Sequence, residues 1–179
     1  MASDSKIVIG WREWVALPGL QLPAIKAKVD TGARTSSLHA FDIETYTDRG
    51  ELRVRFKVHP LSKSKIVVQC SAPIVDHRTV ADSGGHREKR YVIVTDLVIG
   101  ELRYPIEITL ANRETMTHRM LFGRSAMKDF VIAPDHSYLL GRPTQVKALY
   151  KNIRVKAKKK STSKTVSKNT VKTASKAGK

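Results

Sequence analysis

The chain has 179 residues, of which 41% are hydrophobic, and this is long enough for one domain with a buried core. Its formal net charge is +17, but eleven of the 33 Lys and Arg residues and no acidic residue fall in 151–179, so the body is only mildly basic. One cysteine excludes an intrachain disulfide, and no run reaches the roughly 18 apolar residues of a membrane span. We therefore expect a cytoplasmic protein that does not contact membranes.

Short apolar runs broken by Gly, Pro, Asp or Asn predict an all-β domain at 1–150. The run that alternates apolar residues with Lys26 and Lys28 ends at Asp30. A hairpin turn is expected at 47–50, because Asp and Gly supply the turn geometry. The predicted strands are 7–17 (a pair or one bent strand), 24–29, 37–46, 51–58, 66–70, 91–94 and 104–110.

Three further segments depart from this strand pattern. Residues 80–90 are polar and predict a projecting hairpin with its tip at 82–85. Residues 124–130 carry helix formers after Gly123 and predict one short helix. Residues 151–179 are rich in Lys and poor in large apolar residues, so we expect a disordered basic tail.

The segment Asp30-Thr31-Gly32-Ala33 has the composition of an aspartic peptidase loop. Such an enzyme needs a carboxylate at a strand end, held by small neighbours, with water between it and a second carboxylate. Two carboxylates about 3 Å apart cannot both ionise, so one acts as base toward water and the other as acid toward the carbonyl. We therefore predict Asp30, Thr31 and Gly32 as the catalytic residues.

Two longer segments, Val29 to Ala40 and Leu121-Phe122-Gly123-Arg124, resemble the RimB-like retropepsins, bacterial proteins labelled as ATP-dependent zinc proteases. The resemblance covers about residues 6–145 and implies a retropepsin-like lobe, a closed orthogonal β-barrel. The sequence lacks the motifs that this label would require: it has no Walker loop for ATP and no His-Glu-x-x-His motif for zinc. The six histidines are scattered along the sequence. We therefore predict no metal and no cofactor, although a site assembled by folding stays open.

A second carboxylate within the chain would be Asp82, because Asp82-Ser83-Gly84 is also an aspartic triplet. Only about fifty residues separate it from Asp30, too few for a second lobe, and its neighbours are polar. We therefore interpret this segment as a flap turn. The second carboxylate is then Asp30 of another copy, which predicts a symmetric homodimer with one shared site.

Cations crowd the expected cleft and favour an acidic substrate, which guanidinium groups can bind bidentately. His39 is expected to be a hydrogen-bonded structural residue. The predicted substrate-binding residues are Lys28, Ala33, Arg34, Thr35, Arg78, Ser83, Gly84, Arg87, Arg90 and Arg124.

The resembled family is associated with a ligase that adds glutamates to a small-subunit ribosomal protein. The resemblance thus implies a peptidase that hydrolyses glutamyl bonds in acidic tails of such glutamylated proteins. The alternative is a non-catalytic module that docks on ribosomes or other nucleic acid through its basic tail.

Overall fold

A computed structural model describes residues 6–81, 85 and 87–153 of the chain. β-Strands dominate these residues, which confirms the all-β class predicted from the apolar pattern. The strands are β1 (Ile7–Gly10), β2 (Arg12–Leu17), β3 (Leu22–Asp30), β4 (Ser36–His39), β5 (Phe41–Asp48), β6 (Glu51–Val58), β7 (Val68–Pro73), β8 (Asp76–Ala81), β9 (Arg87–Ile99), β10 (Leu102–Ala111), β11 (Met120–Gly123) and β12 (Phe130–Ala133).

The main sheet has seven strands in the order β10-β4-β11-β3-β2-β9-β8. Because β9 also pairs with β10, the pairings of six of these strands run round in a circuit. One link of that circuit, between β2 and β9, is the single pair Ala16 and Val98. The register of β2 shifts between Val15 and Leu17, and such a bulge interrupts a ladder. The expected closed barrel is therefore only partly formed.

Two smaller sheets complete the fold. The hairpin of β5 and β6 turns at Arg49 and Gly50, both of which have positive φ, and β7 extends it to three strands. The turn lies where the sequence predicted it. Strand β1 pairs in parallel with β12, so the two ends of the domain meet in a two-stranded sheet.

The buried side chains form one cluster that joins the main sheet to the three-stranded sheet. Alternate residues of β6 and β7, such as Val54, Phe56 and Cys70, are buried against it. Tyr150 closes the cluster from the C-terminal side, where it is fully buried and its hydroxyl bonds both backbone groups of Ala24. The core therefore includes a residue from the end of the predicted domain.

The helix predicted at 124–130 is wrong in type and length. A 3₁₀ turn covers Arg124–Ala126, without a side-chain cap at Gly123, and Phe130 already belongs to β12. The amides of Arg124 and Ser125 donate to the carbonyls of Ala33 and Arg34, and Phe130 pairs with Ile7, so tertiary contacts at both ends of the segment override local helix propensity. The α-helix of the described residues is instead Val146–Leu149.

Several predictions fall on residues that the structure leaves undescribed. The hairpin of β8 and β9 is present, with Ala81 paired to Arg87, but 82–84 and 86 lie outside the described residues. Of the predicted disordered tail, only 151–153 are described. Within the described residues no helix has the length and apolarity to cross a membrane. The cytoplasmic location stays a prediction.

Candidate active site

The predicted catalytic loop begins where β3 ends, at Asp30. Its Oδ1 accepts hydrogen bonds from the amides of Gly32, at 3.0 Å, and Ala33, at 3.2 Å. A Cβ on Gly32 would lie 3.2 Å from that oxygen and would press on the carboxylate. The carboxylate is thus held by its own loop at the surface of the protomer, beside exposed Thr31 and Gly32.

A second strand, β11, packs against this loop. Strand β11 runs parallel to β3, with Gly123 in register with Asp30. A Cβ on Gly123 would lie 2.5 Å from the carbonyl carbon of Thr35, so the two backbones touch here as only glycine permits. The Gly123 amide donates to Ser36 Oγ at 3.1 Å. The Leu-Phe-Gly segment therefore lies beside the loop, as the sequence led us to expect.

Arg124 ties the same loop to β11. Its Nη1 donates to the carbonyl oxygens of Thr31 and Gly32, at 2.6 and 3.1 Å. Its amide donates to Ala33, and the next amide donates to Arg34. The Arg124 side chain was predicted to bind substrate, but its Nη1 is hydrogen-bonded to the loop backbone. The Arg34 side chain is exposed at its edge.

A row of cations leads along the sheet toward Asp30. Lys26, Lys28 and Asp30 share one face of β3, because side chains alternate across a strand and the intervening Ala27 and Val29 are buried. Arg12 of β2 pairs with Lys28 across the ladder. We call Arg12, Lys26 and Lys28 the cationic strip.

Aromatic rings, not carboxylates, surround this cationic strip. The Arg12 guanidinium lies 4.3 Å from the centre of the Trp11 ring, and Lys26 Nζ lies 5.1 Å from that of Trp14. Burial lowers the pKa of nearby His118, and the charges of Arg12, Lys28 and Lys26 lower it further. No ion pair joins the strip to a carboxylate in the part of the chain that the structure describes.

The predicted flap cations are in a different situation. Arg78 pairs with Asp76 at 2.6 Å and with Glu107 at 2.9 Å, and Arg90 pairs with Glu88 at 2.8 Å. These guanidinium groups are already partnered and are weaker candidates for a substrate. Arg87 is exposed, whereas Ser83, Gly84 and Asp82 lie outside the described residues.

Sequence reasoning missed Arg113, in the loop between β10 and β11. Burial lowers the pKa of its guanidinium, Arg90 lowers it further, and the Asp30 carboxylate raises it. Arg113 therefore lies within electrostatic range of both Asp30 and the flap strand. No local signal marks it, because only the pairing of β10 and β11 with their neighbours brings it there.

A family model described as retropepsin-like aspartic endopeptidase RimB matches residues 8–143. The chain belongs to the RimB-like family. This confirms the resemblance read from 29–40 and 121–124, and with it the retropepsin-like class. A solved structure of a Legionella pneumophila protein of unknown function is also similar, with a TM-score of 0.63 and 26% identity, over 74% of this chain and 97% of that one.

Curated relatives of this RimB-like chain carry a different name. Proteins of Shewanella pealeana, Shewanella halifaxensis and Parasynechococcus marenigrum are 45%, 44% and 48% identical to it, and each is named a probable alpha-L-glutamate ligase. The matches cover 83%, 80% and 83% of this chain, but 33%, 32% and 33% of those proteins. The chain therefore spans about a third of the length of these relatives.

These names overturn the predicted function. We expected a peptidase that hydrolyses glutamyl bonds in acidic tails, whereas four curated relatives at 44–48% identity are named for ligation of glutamate. The alternative, a non-catalytic module docking through its tail, is not what the names describe either. The sequence inference failed because the triplet and the nearby cations indicate a carboxylate site and an acidic ligand, not the direction of a reaction. At the level of enzyme against non-enzyme, the family description and the relatives' names agree with the expectation.

The fold also gathers histidines that are far apart in the sequence of this RimB-like chain. His39 is fully buried at the end of β4, and its Nδ1 accepts the amide of Arg113 at 3.1 Å, in keeping with the expected structural role. His59 stacks near it, with ring centres 5.8 Å apart, and Glu114 is the third member of the group. The spacing of these residues in sequence gave no sign of this cluster.

Proposed function

We propose that this chain takes part in alpha-L-glutamate ligation by binding a glutamate-rich peptide along the cationic strip and leading it to Asp30. The observation that carries the proposal is the position of Arg12, Lys26 and Lys28 on the face that ends at Asp30, without described carboxylate partners. The names of the curated relatives support it from an independent direction.

The spacing of the cationic strip suits an extended acidic peptide. Lys26 and Lys28 are two residues apart on one strand, so their Cα atoms are about 6.6 Å apart. Alternate glutamates of an extended peptide repeat at the same distance, so successive carboxylates can meet successive cations. Arg12 adds a planar fork that can bind a carboxylate bidentately. Exposed Arg34 extends the positive charge beyond Asp30.

The proposal includes a homodimer, because the described residues of one copy leave Asp30 only partly buried. Two surface cavities of about 350 and 370 Å³ are lined by other residues, such as Gly19 and Asp42. On the two-stranded sheet, Val8 and Val131 are paired neighbours and are 48% and 49% exposed. Exposed apolar side chains on a short sheet with open edges favour pairing with a second copy.

Binding of a labelled glutamate-rich peptide, followed by fluorescence anisotropy, tests the leading proposal. We expect Lys28→Gln and Arg12→Gln each to weaken binding about two- to fivefold, as exposed ion pairs contribute modestly, and added salt to weaken it in the parent chain. Lys65→Gln is the matched control, because it removes the same charge from an exposed residue of the loop between β6 and β7, outside the two strands that carry the strip. Equal affinity of all three variants, or equal binding of a glutamine-rich peptide, would refute the proposal.

A second candidate is the activity that the family description names, that of an aspartic endopeptidase. This candidate does not specify the sequence around the peptide bond that is cleaved. The Asp30 loop favours it, because two amides hold the carboxylate at the strand end and Arg124 fixes the loop through the carbonyl oxygens of Thr31 and Gly32. Two such loops facing each other in a dimer would give the paired acid and base that this chemistry requires.

A mixed peptide library and mass spectrometry of its products test this second candidate. We expect cleavage by the dimer and none by Asp30→Asn at unchanged dimer content, measured by analytical ultracentrifugation. Asp96→Asn is the control, because that carboxylate pairs with Arg103 on an exposed ladder. An intact library with the parent dimer, over a range of pH, excludes the endopeptidase without affecting the binding proposal.

A further inference from the structure

The cluster around His39 contains an unused ligand atom in the core. His39 is fully buried, and its Nε2 has no hydrogen-bond partner among the described residues. An unpartnered buried nitrogen of this kind costs stability unless something binds it. Its other nitrogen, Nδ1, faces the Arg113 amide. The free atom therefore needs a partner from outside the described protein groups.

Two further ligand groups lie beside the His39 side chain. His39, His59 and Glu114 each present one ligand atom, and these atoms lie within 4.8 Å of one another. His59 Nδ1 is 3.3 Å from Glu114 Oε1. Ligand atoms at about 2.0–2.1 Å from a tetrahedral ion are themselves about 3.3 Å apart, so this edge already has the right length. The side chains of His59 and Glu114 are 21% and 54% exposed, which leaves them room to close on an ion.

We infer that His39, His59 and Glu114 form a binding site for a divalent transition-metal ion, with Zn²⁺ as the best chemical fit. Two imidazoles and one carboxylate are a set that zinc accepts, whereas Mg²⁺ and Ca²⁺ prefer oxygen ligands. The partial exposure of Glu114 leaves a fourth position open to water. The three residues come from the end of β4, the residue after β6 and the loop after β10, so an ion would join three parts of the fold.

The surroundings of the site are compatible with a cation. Burial, followed by the charge of Arg119, lowers the pKa of His39 to about 4, so this ligand is already neutral near pH 7. Arg119 itself is engaged, since its Nη1 donates to the carbonyl oxygens of Arg113 and Glu114. The Glu114 carboxylate offsets part of the positive charge of Arg113 and Arg119.

Metal binding has one structural requirement that can be measured. If Nε2 of His39 binds the ion, the ring proton must sit on Nδ1, and the Arg113 amide loses its 3.1 Å acceptor. That amide precedes Glu114, so the loop must shift as the carboxylate closes on the ion. We expect the Arg113 amide to exchange faster with deuterium when Zn²⁺ is bound.

The test uses the full chain stripped of metal with a chelator. Zn²⁺ affinity is measured by competition with a chromophoric chelator, and Co²⁺ serves as a spectroscopic probe through its visible d–d bands. His59→Gln and Glu114→Gln are the informative variants, because both side chains are partly exposed and their loss leaves buried His39 in place. His136→Gln is the matched control, an exposed histidine that also contacts a carboxylate, that of Asp135.

We expect one ion per chain and a loss of affinity of about a hundredfold or more in either variant, because even outer-shell changes cost ten- to a hundredfold. The control should bind like the parent, and Zn²⁺ should raise the melting temperature of the parent but not of the double variant. The inference fails if the parent binds no Zn²⁺ stoichiometrically. It also fails if His59→Gln and His136→Gln bind equally, since the metal would then be held elsewhere.

Discussion

Gly123 is the position near Asp30 where adding a single methyl group should destabilise the fold most. In Gly123→Ala the new Cβ would lie 2.5 Å from the Thr35 carbonyl carbon and 2.7 Å from the Ser36 amide nitrogen. Both are backbone atoms, so no side chain can rotate out of the way. Strand β11 and the Thr35–Ser36 backbone must therefore move apart.

The expected cost has two parts. Overpacking of this kind typically destabilises by about 1–3 kcal/mol. Separation of the strands also stretches the buried hydrogen bond from the Gly123 amide to Ser36 Oγ, and a lost hydrogen bond adds about 1 kcal/mol. We therefore expect the free energy of unfolding to fall by about 2–4 kcal/mol.

Urea denaturation followed by tryptophan fluorescence measures this change, with Gly19→Ala as the control. A Cβ on Gly19 would meet one side-chain atom, Thr95 Oγ1 at 2.9 Å, and no backbone atom. We expect the control to lose less than about 1 kcal/mol. Equal destabilisation by the two substitutions would refute the idea that close backbone contact requires glycine at 123.

The remaining predictions concern buried polar groups. Tyr150→Phe should lower the free energy of unfolding by about 1–3 kcal/mol in urea titrations, because both backbone groups of Ala24 lose the hydroxyl partner. Burial raises the pKa of Cys70 to about 12, so iodoacetamide at about pH 8 should label it only when urea unfolds the chain, as mass spectrometry can check. Glu13→Gln should cost about 2–3 kcal/mol in the same titrations, because buried Glu13 accepts the Gly10 amide at 2.8 Å and another amide after β12, and an amide side chain offers fewer acceptors.

Local pattern was sufficient for most strands and for the Asp30 loop. The alternation before Asp30 predicted β3 and its two faces, and Asp and Gly predicted the turn at 49–50, because these signals depend on neighbours within a few residues. Local pattern failed for 124–130, where bonds from Arg124 and Ser125 to the Asp30 loop and the pairing of Phe130 with β1 override helix propensity. Local pattern also did not show that the barrel is incompletely closed. Strands β2 and β9 are joined by one residue pair, beside the register shift of β2.

The candidate site divides in the same way. Asp30 and Gly32 were recognisable because the loop at the strand end needs them locally, whereas Gly123 was recognised through the resemblance of 121–124, since its close contact is with Thr35 across the fold. The hydrogen bonds from Arg124 to the loop carbonyls could not be recognised from the sequence, since their acceptors lie more than ninety positions away. The chemistry inferred from the loop, hydrolysis of glutamyl bonds, was corrected by relatives and not by geometry.

The sequence by itself determined an all-β chain with a carboxylate at the end of an alternating strand, because side-chain alternation and turn residues act over short distances. Only the tertiary structure decided that His39 lies with His59 and Glu114, and that the charge of Asp30 acts on the Arg113 guanidinium. The physical reason is that strand pairing sets these contacts, and pairing depends on the burial of the whole core and not on any one segment.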